Sequence, residues 1–399
     1  MAAALDAAAT ERATIVATLI RVTGDWDLAE DCVQDAVERA LARWPEDGVP
    51  HNPAAWLTTV ARNRAIDVLR RRQTERARLQ EVAIMADTDP EADPQTGTDD
   101  LLRLLFTCCH PALALESRVA LTLRTVAGLS TQEIARAFLV PEATLSQRLL
   151  RTRRKITAAG IPYRVPPPEA LAERTSGVLA VVYLVFNEGY GRRADDLALE
   201  AHRLATLLAD LMPDHDEARG LLALITFQLS RRATRFDEAG DLVPMEEQDR
   251  SRWDPDLVQQ GRQRLARAAR TGRPPGPYRL QAMIAACHAR ARTAEETDWA
   301  AIVMVYDGLL AAHPSPVVAL NRAVAIGFRD GPEDGLAALA LLDDPALAGY
   351  YLLPAARADF LRRLGRHDDA AAAYRHALDL AAADGPERRI LLRRLGEVG

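Results

Sequence analysis

The sequence predicts an all-α protein on three observations. Ala, Leu and Arg dominate its 399 residues and aromatic residues make up only 5%, a composition that favours helix over strand. Apolar residues recur at helical spacing in the N-terminal half, and a 34-residue period runs through the C-terminal part. At about 100–200 residues per domain, two to four domains are expected, each able to bury a core. No apolar run reaches the ~18–20 residues of a membrane span and no basic segment precedes a shorter one, so the expectation is a cytoplasmic protein without membrane contact.

The 50 Lys+Arg and 56 Asp+Glu give a formal charge of −6, which by itself argues against nucleic acid. That near-balance is a sum of opposed patches. Residues 25–47 hold eight acids and two arginines, residues 60–80 seven arginines and two acids, and residues 148–155 five bases and no acid. Residues 1–164 carry 21 bases against 22 acids.

The first patch predicts a helix from Asp27 to Trp44, with Val33, Val37, Ala40, Leu41 and Trp44 on the apolar face. Asp31, Gln34, Asp35, Glu38 and Arg39 occupy the other side, as a solvated surface or as a docking surface for a basic partner. The next helix runs from Pro53 to about Arg72, with Asn52 as N-cap and Pro53 at the first helical position. Leu57, Ala61, Ala65 and Val68 face inward. Thr59, Arg62, Asn63, Asp67 and Arg70 form a mixed polar face, in which arginines suit phosphates while Asn and Asp suit base edges. Trp44, His51 and Trp56 stand at or beside the entering loop, either as core packing or as walls for an unstacked base.

Met85–Asp100 carries six acids, two prolines and no base, and reads as part of an acidic solvated linker over residues 79–100. Beyond it, Ser130 and Glu133 have capping-box spacing. Ile134, Ala135 and Phe138 point inward, and Pro141 opens a last helix whose buried stripe is Leu145, Leu149 and Ile156. Thr144, Ser146, Gln147, Arg148 and Arg151 lie at or near its exposed side, with Arg154 in the basic end. This is a helix-turn-helix whose second helix fits a major groove.

A second break is expected at Pro162–Pro168, ahead of a helical C-terminal half. There Gly331, Asp334, Ala337 and Ala338 recur as Gly365, Asp368, Ala371 and Ala372, and Tyr306 matches Tyr374 at twice the interval, a tetratricopeptide-like (TPR-like) period. Arg231–Asp256 reads as a long polar loop. The expected divisions are therefore 1–78, 79–100, 101–162, 163–290 and 291–399.

The runs LAEDCVQDAVERALARW (28–44) and NPAAWLTTVARNRAIDVLRRR (52–72) resemble region 2 of the extracytoplasmic-function (ECF) sigma factors of bacterial RNA polymerase. ALTLRTVAGLSTQEIARAFLVPEATLSQRLLRTRRKI (120–156) resembles their region 4. LLRLLFTCCHPAL (101–113) and VYLVFNEGY (182–190), with the TPR-like tail, resemble a subgroup bearing a large helical extension. The resemblance implies a region 2 bundle, a linker, a region 4 helix-turn-helix and the extension.

It further implies a sigma factor that binds core RNA polymerase and directs initiation at promoter DNA. Asp31, Gln34, Asp35, Glu38 and Arg39 would dock on the clamp helices of the β′ subunit. His51, Asn52, Trp56, Thr59, Arg62, Asn63, Asp67 and Arg70 would read and melt the −10 element. Thr144, Ser146, Gln147, Arg148, Arg151 and Arg154 would read the −35 duplex. The extension would regulate this activity, through intramolecular contact with the sigma domains or through a partner protein. The other reading is a helix-turn-helix regulator fused to a TPR-like interaction or ligand-sensing domain, which needs no acidic docking face.

Neither catalysis nor a cofactor is expected. Adjacent Cys108 and Cys109, with His110, offer poor tetrahedral geometry and no second ligand cluster; Cys287-His288 is a lone pair that reads the same way. Glu188 has no evident catalytic partner, and Gly189 reads as a helix C-cap.

Overall fold

The computed structural model describes residues 2–77, 94–191, 195–381 and 385–398. Eighteen α-helices and no strand occur among them, as the composition and spacing predict. The chain divides into two compact units, residues 1–204 and 205–399.

The first unit opens with α1 (Ala2–Thr23), α2 (Trp26–Asp47) and α3 (Pro53–Ala77), each packed on the other two. The Asp25 carboxylate caps α2 by accepting from Leu28 N–H at 3.0 Å, and Asn52 Oδ1 caps α3 through Ala55 N–H at 3.1 Å. The bundle buries Val16, Leu19 and Ile20 of α1, Val33, Ala36 and Trp44 of α2, and Leu57, Ala61 and Ala65 of α3. Leu41, expected on the apolar stripe of α2, is instead exposed. Heptad-like spacing carries the buried face through Trp26, Glu30, Val33, Ala40 and Trp44, leaving Leu41 one step off it.

α4 (Pro94–Cys108) lies on α1. Most of the expected linker at 79–100 falls outside the described residues, but its last seven residues are helical. Asp100 is fully buried, accepting from Arg21 Nε at 2.8 Å and Arg103 Nη1 at 2.7 Å. It is a paired structural carboxylate, since burying it without those arginines would cost several kcal/mol, of order ~3–5.

Next come α5 (Leu115–Thr122), a π-helical turn at Leu123–Ala127, α6 (Thr131–Ala137) and α7 (Glu142–Ala158). Ser130 and Glu133 form the expected reciprocal capping box. The turn into α7 passes through Leu139 at φ 52°, a left-handed conformation that costs a residue with a Cβ about 1–2 kcal/mol. α8 (Pro168–Gly191) packs on α4 and α5, and Arg174 Nη2 donates to Phe106 O at 2.6 Å. The break expected at 162–168 therefore lies inside the first unit. Its prolines only turn the chain into α8, whose Val178, Val182, Val185 and Phe186 are buried. The unit continues into α9 (Asp195–Leu211).

Gly189 lies inside α8 and does not cap it: a Cβ there would stand 2.5 Å from the backbone nitrogen of Ala198 in α9. Gly189→Ala is accordingly expected to destabilise the first unit by about 1–3 kcal/mol. A lowered urea midpoint with unchanged slope would register it.

In the second unit α10 (Asp216–Ser230) packs on both α11 (Pro255–Ala268) and α12 (Pro277–Arg290). Glu217 of α10 holds the start of α12, accepting from Gly276 N–H at 3.1 Å and Tyr278 N–H at 2.7 Å. Six more helices follow, each packed on the next: α13 (Trp299–Ala312), α14 (Pro316–Arg329), α15 (Pro332–Ala340), α16 (Leu352–Arg363), α17 (His367–Leu380) and α18 (Pro386–Gly396). Gly331 and Gly365 of the 34-residue period occupy the turns before α15 and α17, both at positive φ. Tyr306 and Tyr374 fall in α13 and α17, so the period follows successive helix pairs.

Candidate nucleic-acid interface

Asp31, Gln34, Glu38 and Arg39 are exposed along α2, and Asp35 is half-buried beside them. Asp35 pairs with Arg64 of α3 at 2.8 Å, and Gln34 Nε2 donates to Glu38 Oε1 at 3.0 Å. The face is dense enough in charge that the Asp31 carboxyl lies above its ordinary value, raised by desolvation and then by Asp27, Glu30 and Asp35. A basic partner would relieve that repulsion.

The polar face of α3 presents Thr59, Asn63, Asp67 and Arg70 as exposed residues, with Arg62 half-buried between them. These positions recur every three or four residues and so form one stripe. His51 and Asn52 are exposed at the entry to the helix, where the Asn52 side chain is engaged in its cap. Thr59 Oγ1 donates back to Ala55 O at 2.8 Å. Of the tryptophans, Trp44 is 3% exposed and belongs to the core, so it offers no face to a base. Trp56 packs edge-on against it, with centroids 5.6 Å apart, and remains partly exposed.

On α7, Thr144, Ser146, Gln147, Arg151 and Arg154 are exposed and Arg148 is half-buried. Arg151 Nη2 donates to Gln147 Oε1 at 3.4 Å. Thr144, Gln147, Arg148, Arg151 and Lys155 line a groove of about 330 Å³ against the Leu113–Ser117 turn. Open and rimmed by the cations Arg148, Arg151 and Lys155, it suits a phosphate backbone beside base edges.

Arg153, in the middle of the basic end of α7, points elsewhere. It pairs with Asp27 and donates from Nη2 to Glu30 Oε1 at 2.7 Å, both acids belonging to α2. Glu30 is 6% exposed and also accepts from Thr125 Oγ1 at 3.2 Å and lies 3.2 Å from Arg124 Nε. Arg12 of α1 reaches Thr125 O at 3.5 Å, its pKa lowered by burial ahead of the charges of Arg124 and Arg203. A second tie lies nearby in sequence: the Tyr163 hydroxyl donates to Ala17 O at 2.8 Å. These contacts join the three-helix bundle to the helix-turn-helix, and none of them is among the residues singled out from the sequence.

The remaining cysteine–histidine pairs make no such constellation. Cys108 and Cys109 are buried, burial pushes both thiols up, Cys109 to about 11, and Cys109 Sγ lies 3.5 Å from Thr122 Oγ1. Among the described residues no group of three or more His, Cys, Asp or Glu side chains could hold a metal ion, and no helix is long and apolar enough to cross a membrane.

Comparison with known proteins matches three stretches of the chain, the last of which spans the boundary between the two units. Residues 9–75 match the family model described as Sigma-70 region 2, and residues 103–156 match Sigma-70, region 4. Residues 174–269 match a family of unknown function, DUF6596. Uncharacterized protein R00370 of Rhizobium meliloti is 44% identical over 383 residues, covering 93% of this chain and 90% of that protein. The ECF RNA polymerase sigma factor SigL of Mycobacterium tuberculosis is 35% identical over 136 residues, 33% of this chain and 73% of SigL. The probable ECF RNA polymerase sigma factor SigI of the same organism is 32% identical over 163 residues, which is 40% of this chain and 56% of SigI.

Proposed function

Because the chain belongs to the extracytoplasmic-function family of RNA polymerase sigma factors, we propose that it docks on core polymerase through the exposed acids of α2. In this reading α3 captures the −10 element as single strand, α7 reads the −35 element as duplex, and the second unit regulates both. Nucleotidyl transfer belongs to the polymerase; the factor supplies binding energy and base readout. The observation that carries the reading is two separate polar, arginine-bearing helix faces, α3 and α7, exposed on one chain beside an acidic face on α2.

The free protein is a closed form of that machine. α7 touches α2 through Arg153, and α3 packs on the same helix. Two promoter elements one and a half turns apart are separated by roughly 50–60 Å at ~34–36 Å per turn. In this reading, engagement of both elements at once parts the contact of Arg153 with Asp27 and Glu30. Free protein should accordingly bind promoter DNA weakly and with strong salt dependence, affinity appearing in the holoenzyme.

Arg148→Ala and Arg151→Ala test the assignment of α7. In holoenzyme binding to a duplex carrying the −35 element, each should cost about 1–3 kcal/mol if it reads a base. An equal loss on DNA without that element would reassign the residue to phosphate contact. Unchanged binding to both would remove it from the interface.

A further inference from the structure

The irregular segment between α10 and α11 is held by arginines more than a hundred residues further along the chain. It folds back through an isolated antiparallel bridge between Phe236 and Leu242, and Gln248 Nε2 donates to Val243 O at 2.9 Å. Its acids then reach the helical array. Asp241 pairs with Arg389 and Glu247 with Arg394; Glu247 also meets Arg393 at 3.1 Å and Glu246 meets Arg363 at 3.8 Å. Arg389 Nη2 donates to Gly240 O at 3.0 Å as well.

Met245 stands between two unfilled spaces. One, of about 290 Å³, is walled by Tyr351, just before α16, with Tyr374 of α17 and Ile390 and Leu391 of α18. The other, of about 310 Å³, is walled by Trp299 and Phe328 of α13 and α14, with Arg250 and His288. Trp299 and Phe328 stack at 4.4 Å, and the Arg363 guanidinium lies 4.1 Å from the Phe328 centroid. One acidic stretch thus crosses an arginine-bearing face with apolar hollows on either side of its single thioether.

We propose that this face of α13–α18 is a receptor for an extended acidic segment of a partner protein, and that residues 240–248 occupy it as a displaceable self-ligand. Three features support displacement. Two of the pairing arginines, Arg389 and Arg393, are about half exposed, and such pairs contribute little net stability, which leaves Arg394, 13% exposed, as the firmest of the ties. The hollows leave room for aromatic or branched side chains that Met245 does not fill. The tether gives weak contacts an effective concentration in about the millimolar range, which a tighter partner must exceed. Stacked helix pairs build extended surfaces of this kind. The inference concerns residues 205–399 alone, and its binding readout is independent of any transcription assay.

The test uses the full chain and a fluorescent peptide of the sequence of residues 240–249. A variant with Asp241→Asn, Glu246→Gln and Glu247→Gln weakens the self-ligand. It should bind the peptide at least tenfold tighter than the unaltered chain, and adding Arg393→Gln and Arg394→Gln should abolish the gain. No gain in a variant of unchanged helicity overturns the proposal, as does loss of folding in that variant, which would make the segment a structural part. On the unaltered chain the Val243 amide should exchange hydrogen at least a hundredfold faster than amides within α14; equal protection also overturns it. A concentration-dependent dimer of the triple variant that excludes the peptide would assign the face to a second copy and contradict the partner.

Discussion

Glu30→Gln should release the −35 reader from α2. The Glu30 carboxylate is buried and shared by Arg153, Arg124 and Thr125, and the two arginine side chains are only 15% and 26% exposed. Removing its charge leaves Arg124 facing a neutral amide in a poorly solvated site and Arg153 with the exposed Asp27 as its remaining carboxylate in the cluster. Breaking a fully buried pair costs ~3–5 kcal/mol, and partial exposure of the arginines reduces this to about 2–3 kcal/mol. A shift of that size between closed and open forms is a factor of roughly 30–150 in their ratio. Two fluorophores, one on α3 and one on α7, should move apart in the free protein, and apparent affinity for core polymerase should rise, because less of the protein is held in an incompetent form. Arg153→Gln should act in the same direction. In a double-mutant cycle the two should couple by at least ~1 kcal/mol. An unchanged distance in both variants would mean that this ion cluster does not hold the readers together.

Arg62→Ala and Arg70→Ala should slow promoter opening more than they weaken duplex binding. Both residues lie on the polar stripe of α3 with Thr59, Asn63 and Asp67, beside a partly exposed Trp56. Capture of unstacked bases contributes ~1–3 kcal/mol each, so losing one cation from this stripe should slow opening about tenfold or more. A premelted template separates the effects, because it removes the cost of unpairing and should restore much of the loss. Equal defects on closed duplex, native promoter and premelted template would reassign these arginines to general phosphate contact.

Much of this architecture is legible in spacing. The Ser130–Glu133 capping box, the Asn52 cap and the stripe of Leu57, Ala61 and Ala65 all follow from local rules that tertiary context leaves intact. The residues missed or misread share a different physical origin. Glu30 sits in register with Trp26, Val33, Ala40 and Trp44, so its spacing marks it as inward-facing, yet its charge groups it with the exposed acids of α2. Arg153 likewise lies four residues after Leu149 and three before Ile156, both buried. A charged residue in the register of an apolar stripe is the available signal for a buried pair, but spacing along one helix does not identify a partner 123 residues away. Asp100 repeats the lesson, reading as one more acid of a solvated run until its two arginines are seen. Gly189 is ambiguous for a similar reason, since a cap and a close helix approach both favour glycine, and only the position of α9 decides between them.

The break between units has consequences for dissecting the protein. A fragment ending near residue 165 would remove α8 with its buried Val178, Val182 and Phe186 and uncover the faces of α4 and α5 on which it packs. Ending after Leu211, at the close of α9, keeps the first unit whole.

Run-off transcription with purified core polymerase tests the central claim most directly. Full-length protein and residues 1–211 would each be added to core enzyme on a template bearing the promoter, with the difference between them giving the sign of regulation by the second unit. The expected result is a promoter-specific transcript from at least one of the two and none from core enzyme alone. No specific transcript from either, while both remain folded and bind core polymerase, would contradict the assignment of this chain as a promoter-directing sigma factor.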